Sequence, residues 1–493
     1  MPGGVFGFAG PGSRTATLRL SLVASTVLAL SACLPADKRP DLAIAITPRY
    51  AAANGGAASP VRADWPRLFR SAELNRLVDR AAGDNFDIAV ALARITQAEA
   101  QARIAAAALY PTLDGSIDGS RSLRPGTLSS KRSSLSESVG NTFGLGLSAS
   151  YEIDFWGKNR ATADAGRLAF EASRFDRDVV ALTTMSSVAG SYFQVLAAQD
   201  RLRIARENIA LAERTLNVIR ARLSVGTATQ LDIAQQESVV AQQKASIPPL
   251  DRQLRQARVT LAVLVGASPA SVSINGGSLN AIAAPNVRPG LPAQLLLRRP
   301  DIAEAEARLA SEEAKVFAAR AALFPNISLT GQGGLESAVL KNLLRPEAVF
   351  ASAAASLAQP ILDGGTLRAQ VDLQKGAADE LIASYRKAIV SAFSDVENAL
   401  IGVQENTRHE RLQAEMVVAA RRAYSIIEQR LREGTIDIVT LLTTQQTLFQ
   451  AQDQLSQVRL QRMLSYVDLF KALGGGWGEA TRSTIPAMTG DSP

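Results

Sequence analysis

The chain has 493 residues, of which 47% are hydrophobic and 20% charged, with a formal net charge of +7. Acidic and basic residues are interleaved along the same stretches without a dense block of lysine and arginine, which argues against nucleic acid as the partner. The single cysteine excludes an internal disulfide framework and a cysteine-based zinc cluster. The length suits two or three ordinary domains or one extended subunit of an assembly.

The N-terminus has the pattern of a secretory signal peptide. Arg14 and Arg19 precede an uncharged stretch that ends Leu30-Ser31-Ala32-Cys33. This ending is similar to the lipobox of bacterial lipoproteins, in which the cysteine thiol carries a diacylglycerol. We therefore predict lipidation of Cys33, which would anchor the chain without spanning a membrane. No later segment has roughly 18 consecutive apolar residues, so we expect any membrane crossing to use β-strands.

The sequence repeats itself in two halves. Asp87-Ile88-Ala89 returns as Asp301-Ile302-Ala303, an offset of 214 positions (301 − 87). Leu223-Ser224-Val225-Gly226-Thr227 resembles Leu431-Arg432-Glu433-Gly434-Thr435, an offset of 208 (431 − 223). Such self-similarity indicates two homologous structural units. The predicted signal peptide, lipidated tether, first repeat, second repeat and flexible tail are, in chain order, residues 1–32, 33–70, 71–282, 293–477 and 478–493.

Each repeat contains segments that alternate with a period of two residues. From Asn141 to Phe155, apolar side chains occupy the odd positions, and polar or small ones the even positions. Further alternating segments begin directly after Tyr110-Pro111 and after Phe324-Pro325, and in both places the proline is expected to end the preceding helix. An outer-membrane β-barrel and a soluble antiparallel sheet with one buried face both fit this pattern. The predicted strands cover about 112–120, 141–155, 326–334 and 349–361.

Four strands are too few to form a barrel alone. A small closed barrel needs about eight strands. Open strand edges in lipid would leave backbone groups unpaired, which is costly. The subunit would therefore have to oligomerise, and two copies with eight strands or three copies with twelve would both close the barrel.

Two segments are too long for globular helices. No proline occurs between Gly157 and Ile247 or between Pro360 and Pro486, and about 70 helical residues would make a rod on the order of 100 Å. Near two glycine turns, apolar residues recur at alternating spacings of three and four, which predicts antiparallel coiled coils with tips at about 222–232 and 430–440. The predicted seams are Leu202, Ala205, Ile209, Ala212, Leu216, Ile219 and Leu223, and Val417, Ala420, Tyr424, Ile427 and Leu431.

Eight short motifs mark the chain from end to end. They are Leu30 to Cys33, Tyr110-Pro111, Glu152-Ile153-Asp154-Phe155-Trp156-Gly157, Arg298-Arg299-Pro300-Asp301, Phe324-Pro325, Pro360-Ile361-Leu362-Asp363-Gly364-Gly365, Val396-Glu397-Asn398-Ala399-Leu400 and Leu473-Gly474-Gly475-Gly476-Trp477. In this order the chain resembles the TolC-like outer-membrane efflux proteins, in particular the NodT-type lipoprotein branch. The resemblance implies a mixed α/β membrane protein. Three subunits of four strands each would form a 12-stranded outer-membrane β-barrel, continued by a long periplasmic α-helical barrel of coiled coils.

The resemblance also implies a function and partners. The chain would be the exit duct of a tripartite efflux system, a passive trimeric channel that exports small molecules such as drugs. A periplasmic adaptor (membrane fusion) protein and an inner-membrane pump of the RND type would be its partners, and the pump would supply the energy. Leu34, which follows the cysteine in place of aspartate, implies sorting to the outer membrane of a Gram-negative bacterium. No cofactor is expected.

Specific residues follow from the resemblance. The adaptor-docking tips would be Val225-Gly226-Thr227 and Glu433-Gly434-Thr435, although a plain helix cap would also explain glycine at these turns. The periplasmic constriction would be lined by Val439, Thr440 and Thr443, where relatives often carry an aspartate ring. This departure argues against cation-sensitive gating, unless Asp437 takes the role. Asp232 matches the tip aspartate of the family, and we expect it to cap a helix or join helices.

The sequence offers no catalytic constellation. His409 is the only histidine and lies on a polar helix face, where we expect it to be exposed. The run from Gly331 to Gly334 lacks the lysine of a phosphate loop, and Glu152 and Asp154 fit a lumen wall better than paired catalytic acids. We therefore expect no enzyme. Two alternatives stay open: the outer-membrane component of a protein or polysaccharide secretion system, and a structural lipoprotein that uses its coiled coil as a spacer.

Overall fold

The computed structural model describes residues 50–51, 64–124, 138–272, 274–287, 292–433 and 435–475. The predicted signal peptide, Cys33, most of the tether, Gly434 and the tail lie outside these residues. The chain divides into two compact units. The described part of the first lies within Ala108–Ala161 and Val316–Leu373, and that of the second lies within Ala45–Ala107, Thr162–Lys315 and Gln374–Pro493.

The first unit contains one sheet with the strand order β1-β2-β3-β4, and every neighbouring pair is antiparallel. The strands are β1 (Thr112–Arg124), β2 (Ser138–Glu152), β3 (Asn326–Ser337) and β4 (Val349–Ala358). Thr112 lies opposite Ser150 in the first hairpin. Their counterparts at +214 and +208, Asn326 and Ala358, lie opposite each other in the second. The two sequence offsets therefore describe one duplicated hairpin.

The strand ends differ from the predicted bounds. β1 continues past residue 120 because it stays paired with β2 as far as Arg124, opposite Ser138. β4 stops at Ala358 instead of residue 361. Gln359 turns its side-chain amide onto the carbonyl of Leu323 at 3.2 Å, and the following proline has no N–H to donate to a ladder.

One face of this sheet is apolar across all four strands, apart from Arg121, Asn141 and Ser337 near one end, because the register keeps the odd positions opposite one another. Ile117 is 84% exposed, so the described residues leave this face uncovered and no core buries it. The soluble-sheet alternative is therefore not supported. The larger apolar residues on this face are Leu113, Ile117, Leu123, Phe143, Leu145, Leu147, Tyr151, Ile327, Leu329, Leu335, Val349 and Leu357.

The opposite face is polar, with Phe350 as its large apolar exception among the described strands. Small side chains and glycines alternate there with carboxylates, which makes it suitable for contact with water. Its polar residues are Thr112, Asp114, Ser116, Asp118, Ser120, Ser122, Thr142, Ser148, Ser150, Glu152, Asn326, Ser328, Thr330, Gln332, Glu336, Ser352 and Ser356.

Long helices follow each pair of strands. In chain order the helices are α1 (Ala72–Asp84), α2 (Phe86–Ala107), α3 (Lys158–Ser224), α4 (Gln230–Ala245), α5 (Ile247–Leu264), α6 (Pro292–Arg298), α7 (Pro300–Ala321), α8 (Thr366–Glu433) and α9 (Ile438–Ala472). α3 and α8 have 67 and 68 residues. α9 is continuous, whereas its counterpart in the first repeat is divided into α4 and α5 because Pro248 and Pro249 occupy the first turn of α5.

By length and hydropathy alone, one described helix could cross a membrane. This is α3, in an 18-residue window of mean hydropathy 1.3. Of that window 56% is buried inside the protein, and α3 contributes Val188, Phe193 and Leu196 to a core cluster. A helix of a folded core passes the same test, so the finding is weak evidence for a membrane span.

Aromatic packing holds the centre of the second unit. The Trp65 ring stacks on Phe470 with centroids 5.0 Å apart, and Phe69 packs on Phe193 at the same distance. All four rings are almost fully buried. These rings attach the segment that precedes α1 to both α3 and α9. Residues at the N-terminal end of the first repeat therefore stabilise α9, which belongs to the second repeat.

In both repeats the last helix, α5 in the first and α9 in the second, ends at a glycine that packs closely against another part of the same repeat. Gly266 has φ 67°, and a Cβ there would lie 2.0 Å from the carbonyl oxygen of Asp84. Gly474 has φ 84°, and a Cβ would lie 2.2 Å from the carbonyl oxygen of Arg298. The backbone conformation and the close approach both require glycine. This explains why the glycine recurs at an offset of 208.

A side chain completes each anchor. Asn85 Nδ2 donates to the Leu264 carbonyl at 2.8 Å. Its counterpart at +214, Arg299, donates through Nη1 to the Ala472 carbonyl at 3.2 Å and also pairs with Asp301 and Asp395. Burial of the Arg299 guanidinium disfavours its charged form and would lower its pKa. The hydrogen bonds and negative charges of these two carboxylates outweigh that effect, so the pKa of Arg299 is raised.

Candidate functional site: the two hairpin turns

The first turn joins α3 to α4 with a Schellman motif. Gly226 has φ 76°, its N–H donates to the Leu223 carbonyl at 2.9 Å, and the Thr227 N–H donates to the Arg222 carbonyl at 2.9 Å. The Thr227 hydroxyl donates to the same carbonyl at 3.1 Å. Among the described residues, no other group lies within 4 Å of the position that a Gly226 side chain would take, so the turn presents bare backbone to its surroundings.

A capping box begins α4 directly after this turn. The Asp232 N–H donates to Thr229 Oγ1 at 3.2 Å, and the Thr229 N–H donates to Asp232 Oδ2 at 2.7 Å. Asp232 therefore acts as a helix cap, one of the two roles expected for it.

The second turn repeats the first where it is described. The Thr435 N–H and hydroxyl both donate to the Arg430 carbonyl, at 3.0 and 3.3 Å. Asp437 is the N-cap of α9, and its carboxylate accepts the Thr440 N–H at 2.9 Å and the Thr440 hydroxyl at 2.7 Å. These hydrogen bonds stabilise the ionised carboxylate and lower the pKa of Asp437.

The structure separates the three predicted constriction residues by what they contact. Thr440 is bound to Asp437 as part of the cap. Val439 and Thr443 lie one helical turn apart on one side of α9, with the Thr443 hydroxyl donating to the Val439 carbonyl at 2.9 Å. Val439 is 59% exposed. On this side of α9, Val439 therefore presents an apolar side chain and Thr443 a hydroxyl-bearing one, and neither position carries a carboxylate.

The predicted docking residues are exposed on both turns. Val225 is 72% exposed, and Thr227, Glu433 and Thr435 are exposed as well. His409 is also exposed, as expected. Among the described residues no group of three or more histidine, cysteine, aspartate or glutamate side chains could hold a metal ion.

Sequence reasoning did not single out the residue that joins the two turns. Arg222 Nη1 donates to the Leu431 carbonyl of the second hairpin at 2.7 Å, and Nη2 donates to the Thr227 carbonyl at 3.1 Å. The available signal was an arginine four positions before the turn glycine in both repeats, at residues 222 and 430. Its significance was hidden because arginines are common on both helices.

A buried polar layer lies behind the turns. Gln236 and Gln445 are fully buried, and Gln236 Nε2 reaches Gln445 Oε1 at 3.2 Å and the Ala212 carbonyl at 2.9 Å. Thr215 and Tyr424 share a hydrogen bond of 2.9 Å. These pairs link the hairpins within an otherwise apolar cluster, so they favour one alignment of the two repeats over others.

The chain matches the family described as "Outer membrane efflux protein" over residues 77–267 and 291–475. The chain belongs to the outer membrane efflux protein family. Both predicted repeats lie over the two matched regions. The family assignment made from the motifs is thereby confirmed, and so is the expectation of a non-enzymatic protein.

The sequence similarity to characterised relatives covers almost the whole of this chain. The chain is 39% identical over 462 residues to the "Pyoverdine export outer membrane protein OpmQ" of Pseudomonas aeruginosa, covering 93% of this chain and 97% of that protein. It is 32% identical over 469 residues to the "Outer membrane protein OprJ" of the same organism, covering 94% of this chain and 97% of that protein.

Solved structures match the fold of this efflux protein. A membrane protein from Pseudomonas aeruginosa gives a TM-score of 0.82 at 30% identity, covering 89% of this chain and 99% of that one. The Campylobacter jejuni CmeC outer membrane channel gives 0.82 at 26% identity, covering 90% and 94%. The predicted TolC-like fold of four strands and long helices in two repeats is confirmed. The protein is an outer-membrane efflux channel.

Proposed function

We propose that this chain is the homotrimeric exit duct of a tripartite pump, with twelve strands in one outer-membrane barrel and a lipid on Cys33. Its exposed turns dock onto a periplasmic adaptor bound to an inner-membrane pump of the RND type. It exports small molecules such as drugs. The observation that carries the proposal is the four-stranded sheet, whose apolar face and two outer edges are left uncovered by the described residues.

The strand order supports closure by further copies. β1 and β4 each pair with only one of the described strands, and their outer edges would be costly in lipid. Because the four strands alternate in direction, β4 of one copy is antiparallel to β1 of the next. Two copies would make a barrel of eight strands, and side chains would fill the interior of a barrel of about that size. Three copies leave an open polar lumen.

The duplicated sequence also predicts the register between copies. Within the chain, β2 and β3 join the two repeats, with Leu147 opposite Gly333. The counterpart of Leu147 at +208 is Ala355, and the counterpart of Gly333 at −214 is Gly119. Ala355 of one copy should therefore lie opposite Gly119 of the next, on the apolar face.

Cysteine cross-linking tests the barrel. The double variant Ala355→Cys/Gly119→Cys should form covalent dimers and trimers in membranes under mild oxidation, because opposed residues bring their Cβ atoms close together. A Cβ at Gly119 would meet Phe143 at an ordinary 3.7 Å, so the cysteine fits. The matched variant Ala355→Cys/Asp118→Cys places the second thiol on the polar face and should not cross-link. Monomers alone in both variants would refute the trimeric barrel.

Transport needs separate tests. The purified protein should give steady single-channel currents in planar bilayers, whereas a structural spacer would pass none. Deleting its gene should increase susceptibility to small toxic compounds. The relatives named for pyoverdine export and antibiotic efflux support this substrate class. Loss of a secreted protein or polysaccharide with unchanged susceptibility would favour a secretion system instead.

Docking and anchoring can be tested on single residues. Val225→Arg should abolish co-purification of the periplasmic adaptor, because a long charged side chain on the exposed turn would block the close approach of a partner backbone. Val418→Arg, at another exposed apolar position on α8, is the control and should retain the adaptor. Cys33→Ser should abolish incorporation of labelled palmitate.

A further inference from the structure

One arginine ties the first turn to the second within the chain. The Arg222 guanidinium spans from the Thr227 carbonyl on its own turn to the Leu431 carbonyl on the other hairpin. Leu431 lies three residues before the second turn glycine, near the C-terminal end of α8. Carbonyls at a helix C-terminus carry partial negative charge, so a guanidinium is well placed there.

The repeat supplies this arginine and its acceptor a second time. The counterpart of Arg222 at +208 is Arg430, and the counterpart of Leu431 at −208 is Leu223. Arg430 is exposed, and its guanidinium has no hydrogen-bond partner among the residues that the structure describes. The Leu223 carbonyl accepts the Gly226 N–H and can accept a second donor, since a carbonyl oxygen has two lone pairs.

The carboxylates near Arg430 are already engaged. Glu433 accepts the Gln429 side-chain amide at 3.0 Å, and Glu428 pairs with Arg432 at 2.8 Å. Within the described part of the second hairpin, the Arg430 guanidinium therefore donates no hydrogen bond, while both neighbouring carboxylates already accept one from another residue.

The direction of the Arg222 contact decides where the partner of Arg430 must be. If a local two-fold axis related the hairpins, Arg430 would donate to Leu223 of the same chain while Arg222 donates to Leu431. Only the Arg222 contact is found among the described residues. The interface is thus head-to-tail, and such an interface continues into another copy and ends only when a ring closes.

We propose that the Arg430 guanidinium donates to the carbonyl of Leu223 of the partner subunit, on the first turn of that neighbouring copy. A trimer would then carry six equivalent contacts around one ring, three within chains through Arg222 and three between chains through Arg430. This inference rests on the trimer proposed above and adds the contact that joins its turns.

Cross-linking with a matched internal control tests the contact. The double variant Arg430→Cys/Leu223→Cys is treated in membranes with a bifunctional thiol reagent whose span matches an extended arginine side chain. We expect covalent dimers and trimers on a denaturing gel. The control Arg222→Cys/Leu431→Cys places the thiols at the contact seen within the chain, so it should cross-link without joining chains. The wild-type chain, whose single cysteine is Cys33, gives the background.

The outcomes separate this inference from the proposed trimer. If Arg430→Cys/Leu223→Cys gives only internally linked monomers, or no product while the control reacts, the contact between copies is refuted. The strand variant Ala355→Cys/Gly119→Cys is measured in parallel. If it forms trimers while the turn variant does not, the trimer stands and only the Arg430 contact fails. If neither joins chains, both proposals fail.

Discussion

Replacing Gly266 with alanine should destabilise the helical unit far more than the same change at the exposed turn. Gly226 and Gly266 share a left-handed backbone, with φ 76° and 67°, and alanine in that conformation costs about 1–2 kcal/mol. At Gly226 no other group in the described part of the chain lies within 4 Å of the new methyl group. At Gly266 it would lie 2.0 Å from the Asp84 carbonyl oxygen. Relieving that overlap should add about 1–3 kcal/mol.

The comparison can be made by urea unfolding in detergent, followed through the circular dichroism of the helices. Gly266→Ala should lose about 2–5 kcal/mol and Gly226→Ala about 1–2 kcal/mol. Gly83→Ala is the control because Gly83 lies in α1 with open space around it, and it should gain about 0.4–1 kcal/mol. Equal losses at Gly266 and Gly226 would show that the close approach to Asp84 is not a constraint in solution.

Three further predictions concern the turns. Thr229→Ala should weaken the start of α4 by about 0.5–2 kcal/mol, seen as faster amide exchange at Asp232; unchanged exchange would show that the capping box is dispensable. Because the folded pKa of Asp437 is lowered, its cap should be intact above the ordinary carboxyl pKa and lost as pH falls through the lowered value. Amide exchange at Thr440 against pH measures this, and Asp437→Asn should remove the acid transition; a transition that persists in this variant would assign it to another group. If Thr443 lines the constriction, the wild-type channel should resist block by trivalent cations while Thr443→Asp becomes sensitive; equal sensitivity in bilayer recordings would place the constriction elsewhere.

Much of the fold could be predicted because it depends on local residue patterns. Alternation from Asn141 onward favours a strand regardless of what surrounds it, and the glycines at 157 and 226 bracket α3 through their own backbone preferences. The break between α4 and α5 also has a local cause in the sequence, because Pro248 and Pro249 start a new helix there. Strand counting alone left a dimer and a trimer open, and the resemblance carried by the family motifs favours the trimer.

The sequence by itself determined the elements, the duplication and the turns of this channel, since each depends on residues close together in the chain. Tertiary structure alone decided which residues meet across the repeats. Arg222 and Leu431 are separated by 209 positions, and Gly266 is constrained by Asp84 from the other end of the same repeat. Such contacts depend on how helices pack and on the direction of that packing, and local periodicity does not carry that information.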